Sequence, residues 1–329
     1  MSSATKTTKL VMAGVALMVL AGLGPWIVLA LLGMPNLANA AILPGVAMTI
    51  ACVTGTGWRA GMIIVGPFAV LCALASWASP SPWYAAIVLA VAAFLRGYAA
   101  REGLHDALNL TVITLGFLVA TPFQFDSAVP TPILVGVVSL GASLWATVVI
   151  FALRKWIPKV KTVHIDRARV WGYSITLGVL VGVATFLVVH FDLGQTGGWI
   201  ILTILVVFQP YFGAGFKKAG FRALGTVAGL CITMAIGVVF PTGPILYAIG
   251  SVFVIITFLF LLQNRPYWLY AMVLTPTVVL LDSANSTVGV VAVERLKGTF
   301  IGIGFTLLVM LALLPLVKHF ESKPMPPPQ

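Results

Sequence analysis

Charge is what this sequence has least of. Only 8% of its 329 residues are charged, against about 25% in an ordinary soluble domain. Acidic residues are the scarcest, with 8 Asp and Glu against 19 Lys and Arg. A water-soluble fold is excluded, because a chain that is 60% hydrophobic has too little polar surface to cover a globule. Cysteine is nearly absent. Cys52, Cys72 and Cys231 lie in or beside apolar runs without C-x-x-C or metal-ligand spacing, which excludes a disulfide framework and leaves buried free thiols. No group of side chains has the makings of a catalytic site. The basic, glycine-rich run from Gly213 to Gly220 lacks G-K-[ST] and a preceding soluble strand, so no phosphate loop is expected. Neither enzymatic activity nor a cofactor or metal is expected. The net charge of +11 would point to nucleic acid in a soluble protein, but in so apolar a chain it is first a matter of membrane topology.

What is present is a succession of long apolar runs. Lys6 and Lys9 precede the run from Leu10 to Leu32, and Ala38-Asn-Ala40 resembles a signal-peptidase site. A signal core is about 7–15 residues, whereas this run can span a bilayer and is followed at once by another, so it reads as a first helix. Further spans fall near 40–54, 59–79, 83–100, 107–122, 131–153, 170–189, 197–212, 220–240, 244–263, 267–282 and 286–317, about twelve at roughly 20 residues each. With the N-terminus inside, every Lys and Arg except Arg295 and Lys297 falls in or beside a cytoplasmic segment, as the positive-inside rule requires. The opposite loops carry Asp126, Asp192 and Asp282. The reading is an all-α polytopic protein of two six-helix halves, 1–153 and 170–317. A basic cytoplasmic linker at 154–169 joins them, and a Pro-rich cytoplasmic tail follows at 318–329. Topology reporters fused after Lys161 and after Asp126 should give opposite signals, and the same compartment for both would rule this arrangement out.

The last span contains Glu294-Arg295-Leu296-Lys297-Gly298-Thr299, three charges where charge is expensive. The motif R-x-x-G-T-x-x-G occurs there, Arg295 to Gly302, and also from Arg222 to Gly229. The copies are three spans apart, an odd offset that reverses direction and suggests an inverted three-plus-three repeat. Their glycines form G-x-x-x-G, which lets helices approach closely. Packing accounts for the glycines but requires no guanidinium. Arg222, near the cytoplasmic interface, serves either lipid phosphate or substrate. Arg295 and Lys297 read as a desolvated anion site, with Thr226 and Thr299 beside them. Pro276 breaks its helix between Thr275 and Thr277, which exposes polar groups to a cavity or only kinks the helix. Glu294 either neutralises a neighbouring cation or carries a proton. His105 and Asp106 read as a solvated charged loop.

On these motifs, together with Leu274-Thr-Pro-Thr277, the second half resembles the fusaric acid resistance/aromatic acid exporter superfamily. The first half is similar in architecture alone. The chain looks like a compact, membrane-only member, since it lacks the soluble domain many relatives carry. The resemblance implies proton-driven efflux of small aromatic or other organic anions across the bacterial inner membrane, beside a periplasmic membrane-fusion adaptor. Membrane lipids and further copies of the chain complete the expected partners. A passive anion channel and a non-transporting assembly protein are the alternatives. Uphill accumulation separates the first from transport, and saturable flux excludes the second.

Overall fold

The computed structural model describes residues 14–155, 165–240, 244–263, 265–283 and 287–321. Most of the basic linker, including Lys161, and the tail beyond Glu321 lie outside the described residues. The helices are α1 (Gly24–Leu31), α2 (Pro35–Ala51), α3 (Gly57–Ala78), α4 (Pro82–Tyr98), α5 (Asn109–Ala120), α6 (Thr131–Ala152), α7 (Arg167–His190), α8 (Gly194–Val207), α9 (Phe212–Val239), α10 (Pro244–Leu262), α11 (Tyr267–Asp282) and α12 (Val288–Glu321). Among the described residues every regular element is helical. Several helices begin with proline in the first turn, as at Pro35, Pro82 and Pro132, where the missing N–H would have had no partner and the fixed φ favours a helix.

Among the described residues six helices are long and apolar enough to cross a membrane, or up to seven if the bent pair Gly14–Gly22 and Gly24–Leu31 is one span. The spans expected near 107–122, 197–212 and 267–282 are short apolar helices, Asn109–Ala120, Gly194–Val207 and Tyr267–Asp282, the last with the expected bounds. Fourteen residues of α8 rise only about 21 Å, less than the roughly 30 Å of a hydrocarbon core. Such a helix is tolerated where protein surrounds it. That holds for α8, buried at every residue from Gly197 to Leu205. The stretch Pro35–Ala78 is continuously apolar and turns between the two spans expected near 40–54 and 59–79. Gly57 has a φ of 63°, open to glycine at little cost, and a methyl group at Gly61 would come 2.5 Å from Cys52 Sγ. Cys52 and Cys72 are buried as expected, whereas Cys231 is exposed on the helical surface.

The surface is apolar in stripes. Ile175, Val179, Val183 and Leu187 project outward along α7, four residues apart and hence on one helical face. Ile133, Val137, Leu140 and Leu144 do the same on α6. Inside, small residues let the backbones meet. The most extensive helix pairing, α4 with α7, joins residues from either side of the basic linker. Gly97 faces the Ser174 backbone there, where a methyl group would come within 2.7 Å. In a bilayer, where lipid is as apolar as leucine, such close packing is a principal source of helix association.

Candidate functional site

The two R-x-x-G-T-x-x-G motifs lie on α9 and α12, and each packs on a short helix from the other three-helix group. Gly225 of α9 lies against α11, where a methyl group would stand 2.6 Å from both Ala271 Cβ and the Trp268 carbonyl. At Gly229 it would stand 2.4 Å from the Met272 carbonyl and 2.7 Å from Thr275 Cβ. On α12 the contacts are with α8. A methyl group at Gly298 would stand 2.5 Å from Trp199 Cβ and 2.8 Å from the Thr196 carbonyl, and one at Gly302 would stand 2.7 Å from Thr203 Cβ and 3.0 Å from the Ile200 carbonyl. The partners correspond one by one and at constant separation in the chain: Thr196 with Trp268, Trp199 with Ala271, Ile200 with Met272, Thr203 with Thr275. Pro276 cannot donate to the Met272 carbonyl four residues earlier, and that carbonyl is the atom a methyl group at Gly229 would meet first.

These crossings bury Arg222 and Arg295 completely, at 0% exposure each. Arg222 stands about 15 Å along α9 and Arg295 about 10 Å along α12 by helical rise. Arg222 is therefore enclosed by protein rather than open to its surroundings. Its Nη1 donates to the Tyr267 hydroxyl at 3.4 Å, while Nε and Nη2 have no hydrogen-bond partner among the described residues. Arg295 makes none through Nε, Nη1 or Nη2, but its guanidinium lies over the Trp199 ring, 3.8 Å from the centroid. The two arginines lie within electrostatic range of each other and of Tyr270, Arg222 reaches Tyr267 through its hydrogen bond, and Arg295 is also within range of Tyr267 and Asp282.

The threonines divide into two kinds. Thr49, Thr147, Thr233, Thr275, Thr277 and Thr306 each donate to the carbonyl four residues earlier, the usual way a helix satisfies a buried hydroxyl. Thr226 and Thr299 are fully buried and their hydroxyls have no hydrogen-bond partner among the described residues, and the same is true of Thr203. Of the expected site residues, Arg222, Thr226, Arg295 and Thr299 are thus buried with side-chain donors that have no partner among the described residues. Thr275 and Thr277 are buried nearby with their hydroxyl protons already engaged, and Thr277 also meets Thr257 of α10 at 3.0 Å. Lys297 is exposed and Glu294 half-buried. Residues two apart lie on nearly opposite sides of a helix, so Arg295 and Lys297 do not form one desolvated pair.

The residues sequence reasoning missed are those that long-range packing brings in. Trp199 and Thr203 face the second motif. Gln195, one turn before Trp199 on α8, donates through Nε2 to Asp282 Oδ2 at 2.6 Å and so ties the start of α8 to the end of α11. A second polar cluster surrounds Arg96, which is 1% exposed. Its Nε donates to the His105 carbonyl at 3.0 Å and its Nη1 to the Tyr173 hydroxyl at 3.2 Å. Asp106 pairs with Lys218 of α9 at 3.6 Å. His105 is buried rather than solvated as expected, because Arg96 draws its loop inward, and burial lowers its imidazole pKa below the ordinary value.

A polytopic α-helical membrane protein with a buried, donor-rich centre is the class this fold and site define. Residues 181–309, from within α7 to within α12, match the family model described as fusaric acid resistance protein-like, in agreement with the resemblance seen in the motifs. That stretch holds both arginines, Trp199 and Asp282. No curated protein and no solved structure gives a match.

Proposed function

We propose that the protein is a proton-coupled exporter of small organic anions, of the aromatic carboxylate kind, in a bacterial inner membrane with both termini cytoplasmic. The observation that carries this reading is the pair of fully buried arginines whose guanidinium nitrogens are mostly unpaired. Each buried donor left without a partner costs about 1–3 kcal/mol, more when charged, and an anion would supply the missing acceptors and the missing charge together. The fusaric acid resistance-like match over the same residues supports transport. The crossed packing of α8 on α12 and α11 on α9 supports an inverted repeat, in which one three-helix group rocks against the other around the arginines.

The closed surroundings of the arginines favour a carrier over an open channel. A cavity of about 230 Å³ lined by Ser79, Pro80, Val119, Ala120, Pro122, Val188, Val189, Asp192 and Gly194 includes neither arginine in its wall. In this reading Arg222, Arg295, Thr226 and Thr299 hold the anion, Thr275 and Thr277 shape the α11 break, and Lys297 attracts anions from the surface. Glu294 is the coupling carboxylate, and a periplasmic adaptor, lipids and further copies of the chain are the partners. Proteoliposomes preloaded with benzoate should show saturable counterflow of labelled benzoate and uphill accumulation under a pH gradient. Glu294→Gln should keep counterflow and lose uphill accumulation. Accumulation by Glu294→Gln at the unmutated rate would discard its proton role, and absence of saturable flux in the parent protein would discard transport.

A further inference from the structure

Arg295 and Arg222 occupy corresponding places, but only one is covered by a ring. Where Trp199 lies against Gly298, Ala271 lies against Gly225. Arg222 instead has the Tyr267 hydroxyl at its Nη1. The indole is fixed in place. Phe117 meets it edge-on at 4.6 Å and 75°, Gly298 closes on its Cβ, and Gly198 leaves room for Phe117, which a methyl group there would approach to 2.6 Å. The buried Trp199 Nε1, like the hydroxyls of Thr203, one turn on along α8, and of Thr299, next to Gly298, has no hydrogen-bond partner among the described residues.

We infer that Trp199 is the specificity-determining residue of the Arg295 station, admitting flat carboxylates and disfavouring spherical and tetrahedral anions. The inference rests on the transport reading above and names what it selects. A ring laid on one face of a guanidinium closes that face, so an anion reaches the N–H groups along the guanidinium edge. A carboxylate matches that edge with two parallel hydrogen bonds. Its remaining lone pairs find donors in the indole N–H, which can only donate, and in the two hydroxyls, which can turn a proton toward an anion. A halide makes no two-point contact, and the third and fourth oxygens of phosphate or sulfate have to sit outside the guanidinium plane, where the ring stands. The α9 station has no such cover and distinguishes these anions less.

The test is calorimetric titration of the purified full-length protein in nanodiscs with benzoate, chloride and phosphate. The parent protein should prefer benzoate. Trp199→Phe keeps the ring and removes the N–H, and should weaken benzoate by about 10-fold, the value of one hydrogen bond to a charged group, without changing the order of anions. Trp199→Leu should bring benzoate and chloride within about 3-fold of each other. Thr203→Val removes one donor at nearly constant volume and guards against misfolding of the tryptophan variants; it should weaken benzoate by about 3–10-fold. Unchanged benzoate affinity in both Trp199→Phe and Thr203→Val, or unchanged selectivity in Trp199→Leu eluting as folded protein, overturns the inference. If benzoate binding is lost on changing Arg295 yet indifferent to Trp199, the transport reading stands and the inference alone falls. A parent protein that binds none of the three anions defeats both.

Discussion

The Arg222→Ala, Arg295→Ala double variant should transport aromatic carboxylate at least about 100-fold more slowly than the parent, from the loss of two charge-assisted contacts at about 1.5–3 kcal/mol each. It should still insert and fold. The arginines lie within range of each other's charge and neither has a carboxylate on its nitrogens, so removing them relieves repulsion and the desolvation of two cations. The thermal midpoint in detergent, without anion, should therefore hold or rise while flux collapses. If the arginines were structural, joining helices through bonds of their own, stability and flux would fall together. Arg222→Lys should retain part of the rate if charge alone matters at that station, whereas Arg295→Lys, beneath the Trp199 ring, should lose nearly all of it because an ammonium offers no planar two-point contact. Normal flux by the double variant at normal abundance would reject both arginines as ligands.

Gly229→Val should reduce the yield of folded protein more than any other single glycine change in the second half. Its Cβ would fall 2.4 Å from the Met272 carbonyl and 3.1 Å from Pro276 Cδ, both fixed by backbone or ring, so α9 would have to move off α11. Overpacking of this kind costs about 1–3 kcal/mol or more. Gly302→Val should follow closely, its contacts on α8 being slightly longer. Gly304→Ala, where no atom lies within 4 Å, should be neutral or mildly stabilising, since alanine is the better helix former. The proportion of protein eluting as a single species after graded heating measures all three. A Gly229→Val protein as heat-resistant as Gly304→Ala would show that α9 and α11 do not cross where the structure puts them.

Much of this architecture is legible in the chain because it rests on local rules. The scarcity of charge forces a membrane fold, proline opens the helices, and the two R-x-x-G-T-x-x-G motifs mark the faces of α9 and α12 that other helices approach. Span length is less legible. Hydropathy registers apolar residues whether they face lipid or protein, so the buried, short helix at Gly194–Val207 is hidden inside an apolar run. The opposed positions of Arg295 and Lys297 follow from helical geometry alone, and so does the capture of the Thr275 and Thr277 hydroxyls by their own helix. Trp199, Thr203 and the Gln195–Asp282 contact have no such local signature. They become site neighbours only because α8 crosses α12, a partnership between segments remote in sequence.

That remoteness sets a schedule for biogenesis. The α8 face that receives Gly298 and Gly302 leaves the ribosome roughly 100 residues before they do, an interval of about 5–20 s at ordinary rates of synthesis. During that time Trp199 and the open Thr203 hydroxyl await a partner still being made. When α12 is delivered to the bilayer, its arginine has a ready seat on the waiting indole, which lowers the penalty of admitting a charged helix. The last segment of the chain is thus received by an earlier one. A ribosome stalled before α12 would hold α8 with that face uncovered, open to insertion machinery or to chaperones.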